Sequence, residues 1–164
     1  VSMTMSNIKS LSDLNTYGWG LGSTPTSLIF DGNGMHVGMP LSGSKYRCDF
    51  MMANSSHPVV LNVGTYQYLA IEMDKPGNGV QKLDTSKGDY GSYSTGTLTS
   101  ENGHSVLYWD LQSRSYFPTN STSDPLTTFQ IKMADVTAAP YSYTIYWVHT
   151  FKTLDELKAF LAKE

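Results

Sequence analysis

The chain has 164 residues, 40% of them hydrophobic and only 15% charged, with a net charge of −3. That length suits one domain with a full core. No basic run offers to neutralise phosphates, and no apolar run approaches 18 residues, so nucleic-acid binding and helical membrane insertion are excluded as expectations. Gly, Ser, Thr, Asn and Tyr take the place of charge, a mix that favours strands and turns over helices.

The opening "VSMTMSNIKS" carries neither an initiator Met nor a basic-then-apolar leader, and is read as the start of a mature or trimmed piece of something longer. Residues 1–27 are loosely patterned and end in the Gly- and Pro-punctuated "YGWGLGSTPT". Next, "SLIFDGNGMHVGMP" predicts two short strands around Asp31-Gly32-Asn33-Gly34, because Asx-Gly pairs supply the positive φ of tight hairpins. In "KYRCDFMMA", Tyr46, Cys48, Phe50 and Met52 share one face, with Arg47, Asp49 and Met51 opposite. "VVLNV" and "YQYLAIEM" are the next expected strands, the second with Leu69, Ile71 and Met73 inward.

Residues 74–105 are polar and Gly-rich, with room for one or two short strands. "SVLYWDL" places Leu107, Trp109 and Leu111 on one face and Tyr108 and Asp110 on the other. "TTFQIKMADV" turns Phe129, Ile131 and Met133 inward. The last strand alternates Tyr143, Ile145 and Trp147 against Thr144, Tyr146 and Val148. Thr153 then opens a capping box with Glu156, and Leu154, Leu157, Phe160 and Leu161 form one stripe of a short amphipathic helix over residues 153–163. Eight or more short strands without βαβ alternation predict an all-β single domain over 1–164, a β-sandwich or jelly roll closed by that helix, which covers an end or edge of the sandwich.

The series "KYRCDF…GTYQYLAIEMDKP…SVLYWDL…FQIKMADV…YTIYWVHTFKTLDELKAF" resembles a β-sandwich family of glycan-degrading Gram-negative gut bacteria. The likeness covers roughly residues 45 to 162, and departs where Glu72 stands for a Lys, Tyr146 for an Asp and His149 for an Arg. It implies a carbohydrate-binding module of the galactose-binding-like jelly-roll class, extracellular, cell-surface or periplasmic, often appended to a glycoside hydrolase.

Catalytic motifs are sparse. There is no nucleophile elbow and no phosphate loop. His36, His57, His104 and His149 lack metal spacing and read as surface or turn residues. Asp49, Glu72 and Asp110 are the carboxylates from which a glycosidase pair would be drawn, while Arg47, Asp49, Glu72 and Lys132 read more simply as a charge ladder across one sheet. The lone cysteine, Cys48, excludes an intrachain disulfide and reads as inert core. No Asp-x-Asp-x-Asp loop is present. Asp31 with Asn33, or Asp84 with Asp89, is the place for a structural calcium, but a plain Asx-turn is the stronger reading, and no cofactor is expected.

A sugar is met by an aromatic plane and planar polar groups, often on loops of a rigid scaffold. Tyr17 and Trp19, Tyr90 and Tyr93, and Tyr116 beside Arg114 sit in such loops, and Tyr108 faces away from the core. These seven are the candidate ligand-binding residues of a non-catalytic, monomeric module that binds a polysaccharide and holds an attached catalytic domain near it. A structural or protein-interaction spacer and a small glycan-active hydrolase are the alternatives.

Overall fold

The computed structural model describes residues 1–77, 79–87, 90–113, 124–136 and 142–163, with the side chains of residues 90–92 outside that description. Among the described residues, fourteen strands and two α-helices follow in order. They are β1 (Ser2–Thr4), α1 (Leu11–Thr16), β2 (Gly20–Leu21), β3 (Ser27–Phe30), β4 (Met35–Gly38), β5 (Leu41–Ser42), β6 (Lys45–Tyr46) and β7 (Phe50–Met51). Then come β8 (Tyr68–Asp74), β9 (Lys82–Thr85), β10 (Tyr90–Tyr93), β11 (Gly96–Thr99), β12 (Ser105–Asp110), β13 (Phe129–Lys132), β14 (Ser142–Phe151) and α2 (Leu154–Leu161).

The strands form an all-β sandwich. Its large sheet runs β11-β12-β8-β14-β4-β3, with β1 also on β14, and its small sheet runs β10-β9-β13-β7-β2. Every pairing among these strands is antiparallel. β14 organises the large sheet. One of its edges follows β8 along nearly its whole length, and the other pairs first with β4 and then with β1.

Local chemistry explains the hairpins. Between β3 and β4, Asp31 Oδ1 accepts from the amides of Asn33 (2.9 Å) and Gly34 (3.0 Å), and Gly32 takes φ 85°. This is the expected Asx-turn. Across from β12, Gly96 leaves room for the Tyr108 ring, whose hydroxyl would lie 2.5 Å from a Cβ at that position.

Between the sheets, Leu69, Ile71 and Met73 of β8 and Leu107 and Trp109 of β12 meet Phe50, Leu83, Phe129 and Ile131 of the small sheet, all in one buried cluster. Cys48 is fully buried there, its thiol 3.6 Å from the Ser23 carbonyl, and burial raises its pKa. The Tyr143 hydroxyl donates to the Cys48 carbonyl at 3.0 Å.

A second cluster lies on the outer face of the large sheet, where Ala70, Val106, Trp147 and Phe151 receive Leu157 and Leu161 of α2. The helix begins as predicted, Thr153 Oγ1 accepting from the Glu156 amide (3.1 Å) and Glu156 Oε2 from the Lys152 amide (3.0 Å). It covers one end of this outer face rather than an end of the whole sandwich.

Several expectations are corrected. The alternation of β14 is broken by an irregularity between Ile145 and Trp147, so Trp147 turns outward and Val148 inward. A bulge adds one residue to one strand and reverses the facing of the residues beyond it. "VVLNV" forms no strand. Pro58 lacks an amide donor, and the ladder pairing there is the single bridge of Val59 to Leu126. The 1–27 region holds a helix, α1, capped by Ser10 Oγ accepting from the Asp13 amide. The 74–105 stretch holds three strands, β9 to β11. The charge ladder on one sheet does not form, because Lys132 belongs to the small sheet and Glu72 to the outer face of the large one.

Candidate functional site

The uncovered end of the large sheet's outer face is a cleft of about 540 Å³. Its floor comes from β8, where Glu72 follows the core alternation of Leu69, Ile71 and Met73 and so must point outward. In register, Glu72 lies opposite Val106 on β12 and Trp147 on β14, and it is only 2% exposed. Its Oε1 lies 3.2 Å from His104 Nδ1, while its buried Oε2 has no hydrogen-bond partner among the described residues. A buried carboxylate oxygen left unpaired costs stability, so it calls for an explanation beyond folding.

His104 is fixed by the turn that precedes β12. Its amide donates to Ser100 Oγ (3.1 Å), and its carbonyl accepts from the Ser100 amide (2.9 Å). Its ring stacks on Tyr146 with centroids 3.9 Å apart and planes 4° from parallel. Since a carboxylate only accepts, the Nδ1 facing Glu72 carries the proton, which leaves Nε2 as the ring's other polar atom. The bulge of β14 sets Tyr146 on this wall, and its hydroxyl donates to Asp74 Oδ2 at 2.6 Å. Burial first, and then that hydrogen bond, push the phenol's pKa up, so it remains a donor.

The opposite wall is a second carboxylate–imidazole pair. His36 on β4 places Nε2 2.7 Å from Asp31 Oδ2 and Nδ1 2.9 Å from Thr144 Oγ1. The amides of Asn33 and Gly34, and then His36, lower the Asp31 pKa to about 2. Asp31 is therefore ionised at neutral pH, and His36 Nε2 donates to it. Thr4 and Ser6 close a third side, and the side chains of Asn33 and Asn102 stand at the rim. His149, whose Nδ1 lies 2.7 Å from Ser2 Oγ, stacks beside Trp147 at 5.2 Å and meets Phe160 edge-on at 5.3 Å, outside the cleft. Burial lowers its pKa. Among the described residues no group of three His, Cys, Asp or Glu is arranged to hold a metal ion.

Residues 6–157 match the model of a domain of unknown function, DUF4979. The chain belongs to that family. No curated protein and no solved structure matches it.

Four of the seven ligand-binding candidates read from the sequence of this DUF4979 chain, Tyr17, Trp19, Tyr93 and Tyr108, do not line the cleft. Trp19 is 8% exposed and set edge-on to Phe50 at 5.6 Å, so its ring is core. Tyr17 is 62% exposed, at the C-terminal end of α1. Tyr93 is 58% exposed on the small sheet, under the Lys82 ammonium at 5.3 Å, and Tyr90 opens the same strand. Tyr108 is half-buried over Gly96 and edge-on to Tyr68. Arg114 and Tyr116 lie outside the described residues. The carboxylate trio Asp49, Glu72 and Asp110 is dispersed. Asp49 pairs with Arg47 (2.8 Å), and Asp110 accepts from Gln67 (3.0 Å) opposite Tyr68. Glu72 lies four steps along β8 from Tyr68, about 13 Å at the rise of a strand.

Of the four residues that meet in the cleft of the DUF4979 chain, the sequence reading set Glu72 among the candidate carboxylates and Tyr146 away from the core, but took His36 and His104 as surface or turn residues and brought none of the four together. Two signals pointed there. "YLAIEMD" holds a carboxylate in the middle of an otherwise buried strand, and "TIYWV" sets four bulky residues in a row where an alternating strand would show two.

Proposed function

We propose that this DUF4979 domain is a non-catalytic, extracytoplasmic carbohydrate-binding module. It holds an attached glycoside hydrolase or surface protein at a polysaccharide, and the sugar sits in the cleft on the large sheet. The observation that carries the reading is the cleft itself. Its volume lies within the range of ligand pockets, and hydrogen-bonding side chains converge on it from β4, β8, β14 and two turns. Hydroxyl-rich ligands need such a set, held on a rigid scaffold so that little ordering is required on binding. Attachment in one chain then raises the effective concentration of a modest single site.

The test is affinity electrophoresis of the domain through gels containing soluble glucans, mannans, xylans, arabinans, pectins or mucin glycans. The expected result is retardation on at least one polysaccharide, lost in His104→Ala and retained in Tyr93→Ala. Loss in Tyr93→Ala alone would move the site to the small sheet. No retardation on any glycan would overturn the module in favour of a spacer domain. The two carboxylate–imidazole pairs that share the cleft also favour a second reading, a small glycan-active hydrolase. Release of reducing ends from the retarding polysaccharide would establish that one instead.

A further inference from the structure

We propose that the cleft selects sugar units without an anionic group and excludes uronates and sulfated sugars. The inference rests on the carbohydrate-binding reading above and names its ligand class.

The side chains that reach the cleft are biased towards acceptors and negative charge. Asp31 and Glu72 both line it, and Asp74 stands behind Tyr146 at 2.6 Å. Each imidazole is turned towards a carboxylate, His36 towards Asp31 and His104 towards Glu72, so neither presents an unopposed positive charge. Among the described residues, no Lys or Arg lines the cleft. Of the basic side chains outside it, Arg47 is held by Asp49 and Lys45 by Asp135, and Lys82 and Lys132 are register partners across β9 and β13 on the small sheet. A uronate or sulfate would enter a site that offers no cation and at least two carboxylates, with like charges brought together in a partly desolvated space. A neutral sugar brings hydroxyl donors, which match His104 Nε2, the Asp31 carboxylate and the amide oxygens of Asn33 and Asn102. Glu72, with one oxygen on His104 and the other without a partner among the described residues, holds the ring with Nδ1–H on the carboxylate and so sets which nitrogen is left for a ligand. It is a positioning residue with charge, and its burial has a purpose beyond packing.

The experiment compares wild type, Glu72→Gln and Asn102→Lys on two sets of gels, one of neutral polymers (galactomannan, β-glucan, arabinan) and one of anionic polymers (polygalacturonate, chondroitin sulfate). Thermal melting checks that each variant folds. Asn102 is an exposed turn residue at the rim, so that variant stands even if Glu72→Gln does not fold. Wild type should be retarded only by neutral polymers. Glu72→Gln should weaken that binding at least about tenfold. Asn102→Lys should raise the affinity for polygalacturonate at least about tenfold. Wild-type retardation by an anionic polymer as strong as by any neutral one would overturn the selectivity and leave the binding module standing. So would neutral binding in wild type that neither variant alters. No retardation of wild type by any polymer would overturn both.

Discussion

The outer face of the large sheet has two ends made from the same three strands. At one end, Ala70 of β8, Tyr108 of β12 and Phe151 of β14 pack in one apolar cluster with α2. At the other, Glu72 of β8, Tyr146 of β14 and the turn before β12 line the open cleft, with Glu72 on His104, Tyr146 on Asp74 and the buried Thr144 on His36. The apolar end needs a lid, because only another apolar surface removes it from water. The polar end needs none, because each imidazole and the phenol finds a carboxylate. Trp147, at the bulge, is the border: it belongs to the apolar cluster and also lines the cleft. The lesson is that apolar packing and polar pairing are kept apart along one strand pair, with the Glu72 oxygen that lacks a partner among the described residues on the polar side.

That division can be broken or sharpened experimentally. The largest effect is expected from Leu157→Ala, which empties a fully buried position beneath α2. It should cost about 2–5 kcal/mol in denaturant unfolding. Glycan binding, measured below the melting transition, should change little. A loss of binding as large as that in His104→Ala would mean that the two ends are one unit.

Next in size is Glu72→Met, with the opposite sign. Removing a buried carboxylate that has one unpaired oxygen should raise stability by about 1–2 kcal/mol, since His104 is partly exposed and is not left as a buried charge. The same variant should bind no glycan. Destabilisation on the scale of Leu157→Ala would make Glu72 a fold residue and dissolve the contrast. Thr153→Ala comes third, at about 1 kcal/mol, through loss of the cap on the Glu156 amide.

The smallest effect concerns Asp31, an exposed group whose folded pKa of about 2 lies below its ordinary value. A depressed acid contributes stability above the unfolded pKa, near 3.8, and that contribution is lost as pH falls through the folded value. Asp31→Asn should therefore melt below wild type at neutral pH, with the gap shrinking between about pH 4 and pH 2 and absent below it. A gap that persists at pH 2 would show that the turn, and not the charge, is what the residue supports.

Much of this frame was legible in the chain. The alternation in "YLAIEM" and "SVLYWDL", the Asx-Gly hairpin and the Thr153 capping box each report a local preference that the fold keeps. The cleft was not legible in that way. Its contacts join His36 to Thr144 and Glu72 to His104, pairs far apart in sequence that meet only through the strand order β12-β8-β14-β4. The bulge at Tyr146 moved Trp147 to the outer face, and a fixed period of two cannot show that. Exposed aromatics in loops were a reasonable place to look for a sugar, but Trp19 and Tyr108 were taken up by packing against Phe50 and over Gly96.

The single thiol has a use of its own. Cys48 is sealed between the sheets, and burial holds it protonated. A soluble maleimide will meet a reactive thiolate only when the sandwich parts. The rate of that labelling, followed in the wild-type chain without any engineered probe, is therefore a clock for how often the two sheets separate.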